Sequence, residues 1–242
     1  MQNIASNQNK QQFIAANGQI SRWHSFNGQD EINQAALTKI LQLAEQAIAS
    51  RGKFCIVLAG GGTPKSVYAL LSKANADWSK WHIYYNDDRC LPVDHPERNS
   101  LMATQVWLSH VSIPASQIHD IPTELGPVEG AKAYAKTLAG LDDFDLVLLG
   151  LGEDGHTASL FPGQAVDNSA DAVPVFDAPK PPPERVSISA ARLSKARDVM
   201  FLVTGSGKQD AVDNWRNGIA IPATVIRPEN GVDVYCYGVN LV

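Results

Sequence analysis

The sequence predicts an α/β fold, a single doubly wound, mainly parallel sheet with helices on both faces, and three observations carry that prediction. Residues 54–59 (FCIVLA), 144–149 (FDLVLL) and 199–203 (VMFLV) are short apolar runs without alternation, the pattern of strands covered on both faces. Each runs into a glycine-bearing turn: Gly60-Gly61-Gly62, Gly150-Leu151-Gly152 and Gly205-Ser206-Gly207. Segments with helical spacing separate the runs, giving the β-then-α alternation of a parallel sheet joined by crossover helices.

Each element has its own signal. The polar stretch 1–12, with Lys10 its only basic residue, lacks the apolar core of a secretory signal. Asp30 is placed to cap a helix over 31–49, on which Ile32, Ala36, Ile40, Leu43, Ala44 and Ala47 recur at helical spacing. After strand 54–59, Thr63 as a cap and Pro64 as a residue suited to a first turn open a helix to about residue 72. A strand over 81–85 delivers Asn86-Asp87-Asp88-Arg89, and a Pro-bearing loop leads to a helix over 99–108. A helix over 128–138, with Val128, Ala131, Tyr134, Ala135 and Leu138 on one face, precedes strand 144–149. Residues 164–184 are rich in Asp, Ala and Pro, and Lys180-Pro181-Pro182-Pro183 predicts an extended, helix-free connector placed to cover a cleft. A short β-like run at 185–189, the strand 199–203, a helix ending near Trp215 and a strand over 232–237 complete the chain. No repeat and no linker divides it, so residues 1–242 read as one domain.

Composition sets bounds on function. With 242 residues, the chain can bury roughly three quarters of the surface its unfolded form exposes, and needs no disulfide or metal to hold a core. No apolar run is long enough to span a bilayer, so no membrane role is expected, and the chain is expected in the cytoplasm. Cys55, Cys90 and Cys236 form an odd, scattered set without a C-x-x-C pair, and read as reduced thiols rather than a disulfide frame or zinc site. Cys55 reads as a core residue, and Cys90 as a thiol beside the candidate site. A net charge of −5 argues against nucleic acid as a partner, so any anion recognised is small and met by a few placed cations.

The polar residues after the strands carry the chemistry. Ligands of parallel sheets bind beyond the carboxyl ends of the strands, where Asp154 and His156 of the loop after 144–149 stand. A neutral imidazole there can take a proton from water, with a carboxylate to orient it. A loop His bonded only to backbone fits the same segment. The Gly61-Gly62-Thr63-Pro64 turn offers free N–H groups and a helix dipole to a phosphate, or is simply a tight turn. It lacks the Walker lysine and the full G-x-G-x-x-G spacing, so no nucleotide is expected. Standing alone, Asp87-Asp88-Arg89 reads as an ion-pair network and Arg185 and Lys208 as solvated surface cations; they acquire meaning by converging at one sheet edge. No G-x-S-x-G elbow supports a covalent mechanism, and His82, His95, His110 and His119 lack metal-ligand spacing.

These segments, in this order, closely resemble the 6-phosphogluconolactonase family: Gly61-Gly62-Thr63-Pro64, Asp87-Asp88-Arg89 with Pro92, Asp94 and Asn99, the loop from Gly152 to Gly163, Arg185-Val186-Ser187, and Gly205-Ser206-Gly207-Lys208. The resemblance spans about residues 50–225, and the string G-x-D-G-H-T-A-S-L-F-P-G is its most specific part. It implies a Rossmann-like fold similar to glucosamine-6-phosphate deaminase and ribose-5-phosphate isomerase. It also implies cofactor-independent hydrolysis of 6-phospho-D-glucono-1,5-lactone to 6-phosphogluconate in the oxidative pentose phosphate pathway. By analogy, His156 is the general base and Asp154 the neighbour that positions it. Gly61, Gly62, Thr63, Asp87, Arg89, Arg185 and Lys208 become the candidates for binding substrate and phosphate. Which cation meets phosphate and which the developing oxyanion stays open. No metal is implied, the partner is a small phosphorylated sugar lactone, and the chain is expected as a monomer or small homo-oligomer. Two departures stand out: Asp88 where the family commonly has Glu, and Ser187 where Thr is frequent.

Two rivals follow. A sugar-phosphate deaminase or isomerase of the same fold would use a carboxylate, such as Asp87, to move a proton beside a carbonyl. The Ser159-Leu160-Phe161-Pro162 continuation after His156 resembles the lactonases instead. A sugar-phosphate sensor would carry a helix-turn-helix, for which an acidic chain with some thirty residues before its first helix gives no support.

Overall fold

The apolar runs between glycines form the centre of a seven-stranded sheet. The structure is a computed structural model that describes residues 10–14 and 18–241. Most of the polar stretch in which no secretory signal was found, residues 1–9, lies outside the described residues. In chain order the elements are β1 (Lys10–Ile14), β2 (Ile20–Ser25), α1 (Gln29–Arg51), β3 (Phe54–Leu58), α2 (Gly62–Leu71), β4 (Trp81–Tyr85), β5 (Asp87–Arg89), α3 (Asn99–Val106), α4 (Gly126–Leu138), β6 (Phe144–Gly150), β7 (Ala172–Val175), β8 (Arg185–Ile188), α5 (Ala190–Ser194), β9 (Ala196–Thr204), α6 (Gln209–Arg216) and β10 (Val232–Tyr237).

The large sheet has the order β1-β2-β10-β9-β6-β3-β4, parallel throughout except for the antiparallel edge pair β1–β2. Every residue of β3 is buried, as its unbroken apolar sequence requires. Helices cover both faces. Lys39 of α1 meets Asp198 at 3.4 Å on one. On the other, Trp215 of α6 packs edge-on against Trp23 and Phe201, with ring centroids 5.2 and 4.8 Å apart. From β3 the chain crosses to β4 on one side and later returns to β6 on the other. The crevice between the carboxyl ends of β3 and β6 is therefore a topological switch point, where open α/β sheets bind ligands.

Beside the predicted sheet stands a second one, antiparallel, of order β5-β8-β7, packed on α4. Of its strands the sequence reading found β8 alone, because β5 is the charged tripeptide Asp87-Asp88-Arg89 and β7 carries Pro174 inside a loop-like composition. Strands β1 and β2 were likewise not anticipated.

Three boundary expectations need correction. Asp30 does not cap α1; the cap position is Gly28, and Asp30 lies in the first turn, where its charge favours the helix dipole. Thr63 does not cap α2, because Gly61, at φ +101°, already turns the chain and puts Thr63 within the helix. The third helix ends at Val106, two residues short of Leu108, which begins a separate 3₁₀ turn.

Half-buried polar pairs tie β10 to β2 near the edge of the sheet. Asp233 of β10 accepts from His24 Nε2 at 2.7 Å and from Arg22 Nε and Nη2 at 3.0 and 2.9 Å, joining β10 to β2. Burial alone would raise the Asp233 carboxyl, but the hydrogen bonds from His24 and Arg22 outweigh it and hold the group well below its ordinary value. A carboxyl whose folded-state value is depressed adds stability above its unfolded value of about 4, and that contribution is lost as pH falls through the folded value. Thermal melting of the wild type is expected to weaken steadily below about pH 4. Asp233→Asn should lower stability by about 2 kcal/mol at pH 7 and flatten the acid limb; an unchanged acid limb in the variant would refute the assignment.

Candidate active site

Loops that follow four parallel strands, β3, β4, β6 and β9, meet above the switch point, and each delivers a polar group. They enclose a cavity of about 370 Å³ lined by Gly60 and Gly61, by Asn86, Asp87 and Arg89, by Gly152, His156 and Thr157, and by Lys208. Asn99, Lys180, Pro181 and Arg185 complete its wall. A larger cavity of about 800 Å³ lies between α1 and β2, but its central groups, His24, Arg22 and Asp233, are paired with one another. The smaller cavity is where free polar groups converge.

The loop after β6 is wound tightly around its histidine. His156 Nδ1 lies 2.5 Å from Asp154 Oδ1, which also accepts the His156 backbone N–H at 3.1 Å. Burial opposes the ionised Asp154 carboxyl, yet these hydrogen bonds from His156 overcome it and hold the group below its ordinary value. An ionised carboxylate only accepts, so the imidazole proton sits on Nδ1 and Nε2 is left as the basic nitrogen. Gly152 N–H donates to the His156 carbonyl at 2.7 Å, and Gly155, at φ +84°, turns the loop beside Ile221. The Phe161 ring packs 4.9 Å from the imidazole.

The opposite wall is built on the small sheet. Asp87 is buried, accepts from Ser159 Oγ at 2.5 Å and from Asn99 Nδ2 at 3.2 Å, and stands 4.0 Å from Arg185 Nη1. Burial nevertheless pushes its carboxyl above the ordinary value. Asn99 fits because Gly60 has no side chain: a Cβ there would lie 2.0 Å from Asn99 Oδ1. Asp88 points away from the cavity. Its carboxylate accepts from the backbone N–H groups of Arg89, Asn99 and Ser100, from Ser100 Oγ and from Arg98 Nε, fastening the start of α3. The shorter side chain at this position thus serves the scaffold.

The cations have distinct roles. Arg185, read from sequence as a surface charge or phosphate ligand, is buried and spends Nε and Nη2 on the carbonyls of Pro182, Lys180 and Pro181 at 3.1, 2.7 and 3.3 Å. It anchors the proline strap to the site. Lys180, carried by that strap, is an exposed cation that the sequence reading placed only within a connector. Burial lowers the Lys208 ammonium, as does Lys180 nearby, against the pull of Glu153. Arg89 Nη1 donates to the Glu97 carbonyl.

Of the residues singled out from sequence, Gly61, Asp87, Arg89, His156, Arg185 and Lys208 line the cavity, and Asp154 stands behind His156. Gly62 and Thr63 do not line it. Thr63 Oγ1 instead bonds Thr204 Oγ1 at 2.6 Å, tying α2 to the end of β9. Asn86, Asn99 and Lys180 belong with the lining set; Asn99 had a signal in its motif, and Asn86 had only its place at a strand end. Cys55 is a buried free thiol pushed up to about 11 by burial, as is the half-buried Cys90.

Residues 27–235 match the family described as glucosamine-6-phosphate isomerases/6-phosphogluconolactonase. A 6-phosphogluconolactonase of Synechocystis sp. is 38% identical over 74% of this chain and 78% of its own length. One of Mycobacterium bovis is 36% identical over 82% and 88%. Among solved structures, 6-phosphogluconolactonase of Thermotoga maritima superposes with a TM-score of 0.84 at 25% identity, covering 90% of this chain and 99% of that one. That of Trypanosoma brucei gives 0.79 at 29%, covering 89% and 95%. The chain therefore belongs to the glucosamine-6-phosphate isomerase/6-phosphogluconolactonase family.

Proposed function

We propose that this chain is a 6-phosphogluconolactonase, hydrolysing 6-phospho-D-glucono-1,5-lactone to 6-phospho-D-gluconate. The observation that carries the reading is the His156–Asp154 pair, 2.5 Å apart, facing cations across one cavity. A lactone is an activated ester, so the enzyme need only hold it, deprotonate one water and stabilise the oxyanion that forms at C1. Asp154 fixes the imidazole and favours its cation, and Nε2 takes the proton from water. Collapse of the tetrahedral intermediate opens the ring, and the proton returns to the ring oxygen.

Lys208 and Lys180 are the phosphate cations of this reading, with the backbone N–H of Gly61, in the turn before α2, as a further donor. Arg185 supports the site through the strap, since most of its donors are already used. Asp87, held by Ser159 and Asn99, is a fixed acceptor rather than a mobile proton carrier, which argues against the deaminase or isomerase chemistry. We place the activity in the cytoplasm, in residues 1–242 acting as one domain, as a monomer or small homo-oligomer. Among the described residues no helix is long and apolar enough to cross a membrane.

Generating the lactone in situ and following its hydrolysis above the spontaneous rate tests the reading. Lys208→Ala is expected to raise KM by about 10- to 100-fold, the loss of a charge-assisted hydrogen bond, with a smaller change in kcat. Absence of wild-type turnover, or ammonia release from glucosamine 6-phosphate, would overturn it.

A further inference from the structure

We propose that Asn86 is a specificity-determining residue of this cavity, its amide oxygen accepting a hydrogen bond from a ring hydroxyl of the sugar. The inference rests on the lactonase reading and adds to it the group that reads the sugar between phosphate and lactone.

Asn86 follows β4 and is 2% exposed. Its N–H donates to Leu58 O at 2.9 Å and its carbonyl accepts from Ile188 N at 2.7 Å, so it is pinned where β3, β4 and β8 meet. Its side-chain Nδ2 donates to Leu148 O of β6 at 3.2 Å. That bond fixes the amide orientation: turned over, Oδ1 would face the Leu148 carbonyl, acceptor against acceptor. Oδ1 is left buried without a hydrogen-bond partner among the described residues, in a side chain that lines the cavity.

A buried acceptor without a donor is costly, and such groups persist where a ligand completes them. The substrate class then follows by elimination. Phosphate oxygens, the lactone carbonyl and the ring oxygen are acceptors and cannot satisfy Oδ1; of the sugar's groups, its hydroxyls alone can donate. Arg89 Nε, on the same cavity wall, is a buried donor that also lacks a partner. An unpaired acceptor and an unpaired donor in one cavity suit hydroxyl groups, which donate and accept at once.

The test compares kcat/KM of the wild type and Asn86→Ala on the parent lactone and its 2-, 3- and 4-deoxy analogues, each generated in situ. The wild type should disfavour one deoxy lactone by about 10- to 100-fold, and Asn86→Ala should reduce that one gap to near unity while keeping the others. An equal loss on all four substrates, as a structural role or contact with the attacking water would give, overturns the proposal. Wild-type discrimination below twofold against every analogue also overturns it, without recourse to a variant. Should Asn86→Ala fail to fold, Asn86→Ser serves in its place. A wild type inert on the parent lactone refutes the lactonase reading itself, whereas an active but undiscriminating one refutes only the role of Asn86.

Discussion

Replacing His156 by alanine is expected to reduce kcat by about 10²–10⁴-fold, the usual worth of a positioned general base, while leaving affinity for 6-phosphogluconate near that of the wild type. Affinity should persist because the groups proposed to meet phosphate, Lys208, Lys180 and the turn after β3, lie elsewhere on the cavity wall. The fold should persist because the side chain is partly exposed and most hydrogen bonds of its loop run through backbone. Single-turnover hydrolysis separates chemistry from binding, and product affinity can be measured by calorimetry. Asp154→Asn gives the graded control: the amide can still contact Nδ1 but no longer stabilises the imidazolium, so a partial loss of kcat is expected. An alanine variant with full kcat would remove His156 from the mechanism.

The second large effect is expected from Gly152→Ala, a change of one methyl. A Cβ at residue 152 would lie 2.0 Å from His156 Nδ1, 2.3 Å from His156 Cε1 and 2.5 Å from Asp154 Oδ1. Ordinary carbon contacts are about 3.5–4.0 Å, so the methyl would occupy the space in which the two side chains meet. The imidazole must swing away, losing both its carboxylate partner and its aim. A loss of kcat of about 10²-fold or more is predicted, as for other displacements of a reacting group by an ångström or so. Thermal melting should change far less than activity, because the crowded atoms belong to the dyad rather than the core. Wild-type kcat in this variant would mean that the pair is dispensable.

How much of this was legible in the sequence depended on local pattern. The buried strands were legible as unbroken apolar runs and α1 as helical spacing, since burial on two faces or on one leaves a direct mark on residue order. The small sheet left no such mark. Asp87-Asp88-Arg89 pairs with β8 because tertiary contacts with Ser187, Val186 and Arg185 override the poor strand propensity of two aspartates. For the site, the sequence indicated which charged residues converge but not how their hydrogen bonds are shared. Arg185 looked free until three carbonyls of the strap were found on it. Asp88, in the sequence only a departure from the family's usual Glu, fastens the start of α3 with its carboxylate. Such divisions depend on distances between residues far apart in the chain, which no short motif records.

Ser159 makes the two halves of the site a single mechanical unit. Its hydroxyl donates to Asp87 and its N–H to Ser187 Oγ at 3.3 Å, so the loop that bears His156 is riveted to β5, which bears Asp87 and Arg89, and to its neighbour β8. The walls cannot part without breaking these buried bonds. The side of the cavity left outside this rivet is formed by the Lys180 strap and the Lys208 turn, where Lys180 is exposed and Lys208 half-buried. On the proposed reading, the two lysines assigned to phosphate thus stand on the wall that is not riveted, and lactone would enter and gluconate leave past the same pair of charges.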